Sequence, residues 1–496
     1  MRLKQIPMIE GGWPRAVSAF ICLATAMSLF AGEGRERSPW ERSMVTVEVT
    51  RKQYDFLQPW TQRNETFKKQ GVVLGPGQIL TTADYLNDLA LARLQKNGRG
   101  TWYAAKLEWI DYHANLALLS AKDTNFWDGL KPAAFMDPAP SEGSVQIVRW
   151  RNGNLESRKG EIARLVVRRA KLSFVEHLMM EVDSEINSAG WGEAVVLGDR
   201  LVGLIASQEG NNCTVLPSSF VKFAVQGAGG TPRQYLGFFD FVWQKAENPA
   251  TLAYLKLPGE PRGVIILDKA TGADKSGLLQ TKDILLEIEG FKIDTDGNYA
   301  DPNYGQLLLE NLSTRGKFAG DKIHLTLWRE GKPLEVDYPL PKADYDVEMV
   351  PQAIYDREPD YLIFGGLVFE PLTESYLRSW GGDWRRKAPF RLTYFDQEKP
   401  SAERPARVLL SLLLPDPFNL GYQDYRFLPV NKVNGKVISR LPDLVAAFQQ
   451  PTNGFHVVEF GPGESVRTVV LDAVEAEQAT RRVLEKYGVP KEKVIN

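Results

Sequence analysis

A hydroxyl attacks a carbonyl only when a base takes its proton, so such chemistry needs a serine, an imidazole and a group that orients the imidazole. The stretch Ile186-Asn187-Ser188-Ala189-Gly190-Trp191-Gly192-Glu193-Ala194-Val195 offers Ser188 in a glycine-bearing loop. It lies between an apolar run at 178–182 and a hairpin-like run at 194–207 that turns at Gly198-Asp199. His113 and Asp111 share parity on an extended segment and could face the same side. The other histidines, His177, His324 and His456, stand in separate regions, and no His/Cys/Asp cluster has metal-ligand spacing. Neither a metal nor a cofactor is expected. Gly71, Gly75 and Gly77 are turn glycines that complete no phosphate-binding loop or dinucleotide fingerprint. A lone serine in a glycine-containing loop is ordinary turn chemistry, so a Ser188–His113 site is the weaker reading.

The elements that would hold these residues are short strands separated by turn signals. Runs at 44–49, 71–74, 78–81, 105–110, 116–120, 144–150 and 161–167 read as strands, with turns at Gly75-Pro76-Gly77 and Asn152-Gly153. The alternating run at 44–49 reads as an edge strand. Such spacing predicts a sandwich or barrel and a mainly β fold.

Four landmarks in this region fall in a telling order. They are Gly71-Val72-Val73-Leu74-Gly75 through Leu80-Thr81-Thr82-Ala83-Asp84-Tyr85-Leu86, then Asp111-Tyr112-His113-Ala114-Asn115-Leu116-Ala117-Leu118-Leu119. The loop at Trp191 follows, and Cys213-Thr214-Val215-Leu216-Pro217-Ser218-Ser219-Phe220 closes the series. Together they resemble the protease domain of the HtrA/Deg family, which implies a trypsin-like double β-barrel over 43–228. The resemblance places Asp84 at the base position, Asn115 at the orienting-acid position and Trp191 at the nucleophile position. None of the three can play its part: an indole has no hydroxyl, an amide carries no charge, and a carboxylate is a weak base at neutral pH. Glu193 replaces the second glycine of the family's loop, where its charge would repel an oxyanion. No catalytic residue is therefore expected.

The small residues Gly227-Ala228-Gly229-Gly230 read as a linker. Beyond them, Tyr235-Leu236-Gly237-Phe238, Ala273-Asp274-Lys275-Ser276-Gly277-Leu278 and Gly320-Asp321-Lys322-Ile323 resemble a PDZ domain over 234–341. That resemblance assigns Tyr235, Leu236, Gly237 and Phe238 to the capture of a chain terminus, by strand addition and backbone N–H donation. A PDZ module docked on its own barrel, with a blocked groove, is the alternative. Tyr361-Leu362-Ile363-Phe364-Gly365-Gly366 and Pro429-Val430-Asn431-Lys432-Val433-Asn434-Gly435 are similar to the second, divergent PDZ-like module of plant-type Deg proteases, here 350–496. Helices are expected at 441–448 and 474–486, and Tyr376, Trp380, Trp384, Phe390, Tyr394 and Phe395 are read as core. The expected fold is a trypsin-like double β-barrel followed by two PDZ-like α+β domains.

At 496 residues the chain calls for about three domains. A net charge of −2 gives no electrostatic case for nucleic acid or an anionic membrane as partner. Arg2, Lys4 and Arg15 precede an apolar run at 16–30 and the small residues Ala31, Gly32 and Gly34, the pattern of an export signal over 1–34. Cleavage implies a periplasmic or extracellular protein without a membrane segment; an uncleaved signal would be an anchor. Cys22 lies in that signal, leaving Cys213 alone and no intrachain disulfide. The functional expectation is an exported pseudoprotease that binds protein C-termini or unfolded polypeptides as a scaffold, adaptor or chaperone. The alternatives are a serine endopeptidase of protein quality control with a non-standard site, and a structural subunit with closed grooves beside an active paralogue. Resemblance to the family further implies a homo-oligomer, trimeric or larger.

Overall fold

The computed structural model describes residues 38–269, 277–345, 348–352, 354–461 and 468–496. The expected signal over 1–34 and Ala273-Asp274-Lys275-Ser276 of the PDZ-like run lie outside them.

Strand periodicity builds the first barrel. Its strands are β1 (Met44–Tyr54), β2 (Gln62–Gly75), β3 (Gln78–Thr81), β4 (Leu89–Lys96), β5 (Trp102–Asp111) and β6 (Leu116–Ala121), closed in the order β1-β2-β3-β6-β5-β4. Alternation along β1 sends Val45, Val47 and Val49 into the barrel with Ile79, Leu94 and Leu119. Met44, on the opposite face, joins a separate core with Leu80, Trp109, Trp150 and Leu216. Both faces of β1 are thus buried, and β1 pairs with β2 on one side and β4 on the other. It is not the edge strand that its alternation suggested, because closing the sheet removes the edge.

The second sheet contains β7 (Ala134–Phe135), β8 (Gly143–Arg151), β9 (Asn154–Arg169), β10 (Glu176–Ser184), β11 (Ala194–Leu197), β12 (Arg200–Glu209) and β13 (Asn212–Pro217). Pairing of β11 with β12, in addition to the path β11-β8-β9-β10-β13-β12-β7, closes it. Val145, Ile147, Val182, Ile205 and Val215 fill its interior. The core around Trp150 lies between the two barrels, and the helix Ser218–Ala228 adds Phe220, Val221 and Ala224 to it. The result is a trypsin-like double barrel.

A second module follows, with β14 (Phe241–Lys245), β15 (Val264–Lys269), β16 (Ile284–Ile288), β17 (Phe291–Lys292), β18 (Asn298–Asp301), β19 (Gly305–Leu308), β20 (Lys322–Arg329) and β21 (Lys332–Pro339). Its sheet runs β14-β15-β16-β20-β21, so β14 is an edge. Its core is continuous with the second barrel, since Val167 of β9 and Leu178 of β10 pack among Phe241, Leu309 and Tyr338. The third module has β22 (Tyr361–Phe364), β23 (Leu367–Pro371), β24 (Val408–Leu413), β25 (Leu428–Val433), β26 (Lys436–Val437), β27 (Phe455–Phe460), β28 (Thr468–Asp472) and β29 (Lys493–Val494). They run β28-β27-β25-β24-β23-β22-β29, with helices at Leu441–Phe448 and Ala476–Tyr487.

The first barrel reaches into this third module. The β1–β2 hairpin carries Phe56 and Leu57 into the cluster of Tyr376, Leu377, Trp384 and Leu392, while Trp60 meets Tyr361 edge-on at 5.9 Å. Tyr376 and Trp384 are core, and Trp380 and Phe395 pack against it; Phe390 and Tyr394 are instead exposed at 78% and 49%. These two lie on a short helical excursion, Phe390–Gln397, whose opposite side supplies Leu392.

A second stitch is polar. Asp88 and Asp356 both sit in the left-handed region, at φ 56 and 64, and cap one another. Asp88 N–H donates to Asp356 Oδ1 at 2.8 Å, and Asp356 N–H to Asp88 Oδ1 at 2.9 Å. Tyr112 Oη donates to the other Asp356 oxygen at 2.7 Å. Replacing Asp356 by Ala removes the acceptor of both donors and puts a β-carbon without a polar arm at positive φ; a loss of about 1–3 kcal/mol is expected. Asp356→Asn keeps an acceptor and tolerates the conformation, so it should cost less than half as much by urea unfolding. Equal losses for the two variants would show that the hydrogen bonds do not hold the junction.

Candidate functional site

The site is assembled from the end of β3, the start of β6 and the loop before β11. Asp84 and Asn115 are both buried and face one another. Asp84 N–H donates to Asn115 Oδ1 at 3.0 Å, and Asn115 Nδ2 donates to Asp84 Oδ2 at 2.8 Å. Asn115 reaches this position at φ 52, a conformation asparagine tolerates better than most side chains. The pair is saturated, yet the proton between them is an amide N–H, which does not transfer at neutral pH. A base at position 84 would have nothing to relay to.

Trp191 enters the same region through its neighbours. Its ring stacks on Tyr85 at 4.8 Å and on Phe67 at 5.8 Å, and its carbonyl accepts the Gln70 N–H at 2.8 Å. Asp84, Asn115 and Trp191 are therefore linked, two by direct hydrogen bonds and the third through Tyr85. Gly192, at φ 84, permits the close approach: a Cβ there would lie 3.0 Å from the Gln70 carbonyl and 3.2 Å from Thr81 Oγ1.

The loop's N–H groups, which could hold an oxyanion, are already taken. Glu193 turns inward and its Oε2 accepts the N–H groups of Gly190 at 3.0 Å and Trp191 at 2.8 Å. Gln208 Oε1 accepts the Ala189 N–H at 2.7 Å. Burial raises the Glu193 pKa; the N–H groups of Trp191 and Gly190 and the Arg149 guanidinium, 3.8 Å away, oppose it. The side chain expected to repel an oxyanion from outside instead occupies its place.

Beneath this floor lies a residue that sequence reasoning missed. Lys69, fully buried on β2, donates to Thr82 Oγ1 at 2.8 Å and to the Asp84 carbonyl. Burial lowers its pKa to about 8, against the pull of Asp84 and Glu193, with Lys171 adding to the fall. The signal was its parity: Lys69 shares the inward face of β2 with Phe67 and Gly71.

The alternative pair does not form. His113 Nδ1 lies 3.2 Å from Ser173 Oγ, its ring stacks on Tyr345 at 4.4 Å, and burial lowers its pKa to about 4. Ser188 sits at φ 57 with its carbonyl held by Arg149 at 3.3 Å. Asp111 caps the N–H groups of His113 and Ala114 at 2.9 and 3.0 Å rather than orienting the imidazole.

The loop assigned to terminus capture is also turned inward. The Phe238 N–H donates to the Pro341 carbonyl at 3.4 Å, the Tyr235 carbonyl accepts from Ala319 at 2.9 Å, and the Leu236 N–H faces the buried Asp111 carboxylate. Gly237 packs so closely that a Cβ would lie 2.9 Å from that of Leu340. Tyr235, Leu236, Gly237 and Phe238 thus join barrel to module, and the Phe238 N–H is unavailable to a ligand carboxylate, because a neighbouring carbonyl already engages it. Among the described residues the sheet of this module ends in β14 on one side and β21 on the other, and on β14 Val242 is 56% exposed.

Comparison with known proteins finds sequence relatives along most of the chain. Residues 350–494 match the family described as PDZ domain. Protease Do-like 4, mitochondrial, of Arabidopsis thaliana is 26% identical over 90% of this chain and 84% of its own. Protease Do-like 2, chloroplastic, of the same plant is 25% identical over 91% of this chain and 74% of its own. Among solved structures, the HtrA-type protease AlgW with decapeptide is 15% identical, covers 62% of this chain and 99% of that one, and has a TM-score of 0.47.

The buried lysine makes a pH-dependent signature. Its folded pKa, about 8, lies below the 10.5 of a free lysine, so the unfolded chain holds the proton more tightly. Stability from this site therefore rises between those two pH values and is penalised below them. Lys69→Met abolishes the titration. The wild-type minus variant difference in unfolding free energy should grow by about 3 kcal/mol from pH 8 to pH 10.5. A difference flat across that interval would show that Lys69 titrates normally.

Proposed function

Starting from a chain that belongs to the HtrA/Deg family, we propose that it no longer hydrolyses peptide bonds and serves as a scaffold, adaptor or chaperone that binds polypeptides. The observation that carries this reading is the Glu193 carboxylate seated on the Gly190 and Trp191 N–H groups. Acyl transfer needs those donors free for the developing oxyanion, and displacing a buried, hydrogen-bonded side chain at every turnover would forfeit the preorganisation that makes such a site work. The Asp84–Asn115 pair and the indole of Trp191 support the same reading independently, because neither nucleophile nor proton relay is present there.

Binding is ascribed to the outer edge of β14, an unpaired strand on which an extended chain can add. The edge does not depend on the buried loop at 235–238, so a partner needs no free C-terminus to use it. Unfolded polypeptide is the class of partner that fits.

Purified protein should leave casein intact and should not react with a fluorophosphonate probe, and Trp191→Ser alone should restore neither, because Glu193 still fills the nest. Fluorescence anisotropy with labelled unfolded casein should register binding, weakened at least 5-fold by Val242→Asp, which puts a charge on the strand edge. Casein breakdown blocked by a serine-directed inhibitor would overturn the loss of catalysis; binding indifferent to Val242→Asp would remove the β14 edge from the reading.

A further inference from the structure

Two cations flank Tyr85: Arg51 Cζ and Lys171 Nζ each lie 5.1 Å from its ring centroid. Each also lines a cavity between the barrels and the third module. The first, about 630 Å³, is bounded by Arg51, Lys52, Arg63 and Arg378 against Asp55 and Asp88. The second, about 440 Å³, brings Arg169, Lys171 and Arg385 against Glu374. Ser375 and Arg378 belong to both, so the cavities adjoin.

We propose that these two cavities act as one channel that binds an acidic polypeptide segment, independently of the β14 edge. The chain as a whole carries 60 basic and 62 acidic residues, so a lining this rich in cations is a local concentration of charge rather than a reflection of composition. The carboxylates present are already engaged. Asp55 Oδ1 accepts the Leu57 N–H at 2.9 Å, Asp88 caps Asp356, and Glu374 pairs with Arg378 at 2.6 Å. Of the cations, Arg51 and Arg63 pair with Glu65, Arg378 with Glu374 and Arg385 with Asp396, whereas Lys52 and Lys171 make no ion pair among the described residues, and Lys171 is exposed.

Arg51 is held in place by Asn87 and Glu65, both at 3.1 Å, and by the Phe67 ring at 5.4 Å. A cation positioned over an aromatic ring loses little freedom when it meets a carboxylate, which favours binding. Single-stranded nucleic acid is the weaker candidate. It needs free aromatic faces for its bases, and of the rings that line the cavities Tyr345 is taken up by His113 at 4.4 Å, Tyr355 by Tyr112 at 4.3 Å, and Phe56 by the core of the third module. Carboxylate side chains on an extended backbone need only the cations.

The test is fluorescence anisotropy of a labelled Asp/Glu-rich decapeptide titrated with the full chain at low and high salt. Binding is expected, falling steeply with salt. Lys171→Glu combined with Arg378→Glu should weaken it at least 10-fold, while Arg481→Glu, a single reversal of the same kind on the exposed last helix, should leave it within 2-fold. Should the double variant fold poorly, Lys171→Gln at its exposed position should still weaken binding about 3-fold at unchanged melting temperature. No binding up to roughly 1 mM peptide, or binding indifferent to Lys171 and Arg378, overturns the proposal. An oligothymidine that binds more tightly and displaces the peptide overturns it in favour of nucleic acid.

Discussion

A buried backbone N–H must find an acceptor, and at 189–191 the acceptors are side chains of the protein itself. Much of the site follows from that constraint. Glu193 satisfies Gly190 and Trp191, so it must be buried, and burial of a carboxylate calls for compensating charge. Arg149 supplies it from one side while also holding the carbonyls of Asn187 and Ser188, and Lys69 contributes from below. Gln208 completes the set through Ala189 and ties the loop to β12 by its bond to the Ile186 carbonyl at 2.5 Å. A loop that in an acyl-transfer enzyme would wait for substrate is closed on itself, and the closure is cooperative because its parts share partners.

The Asp84–Asn115 pair obeys the same logic with the polarity reversed. In a working relay the middle group must both accept and donate a proton, and the third group must carry the balancing charge. Here the charge sits on Asp84 and the donor on Asn115, so the hydrogen bonds close a ring and stop. Lys69 reinforces the arrangement by reaching the carbonyl of Asp84 rather than its carboxylate. At positions 84 and 115 the buried polar groups satisfy one another.

What could be read before any coordinates were known divides along physical lines. The pattern of apolar runs set off by turn signals revealed β3, β6 and β8 nearly to their ends, because most of their residues are buried. It understated β1 and β9, whose outer halves at 50–54 and 154–160 are polar and are held by pairing rather than burial. It missed β4, and it could not show that β1 lies inside a closed sheet, since closure is a property of strands distant in sequence. The charge of Glu193 was visible; its inward turn was not, because that depends on Arg149 and the loop geometry together. The same holds for residues 235–238, where a motif suited to capturing a terminus is turned toward the barrel and faces Asp111, more than a hundred positions earlier in the chain.

The third module makes this arrangement a property of the whole chain. It grips the β1–β2 hairpin through Phe56, Leu57 and Trp60, and it grips the segment after Asp84 through the Asp88–Asp356 pair. That segment is the one that carries Tyr85, whose ring supports Trp191. The residues from 84 to 88 are therefore held at one end by Asn115 and Lys69, in the middle by an aromatic stack, and at the other end by a module whose own core lies elsewhere. Each contact is modest, but neighbours that share partners do not fail independently. Reopening the loop for catalysis would require more than a serine at position 191, since the surrounding contacts all stabilise the closed form. These shared contacts hold the cleft in one state.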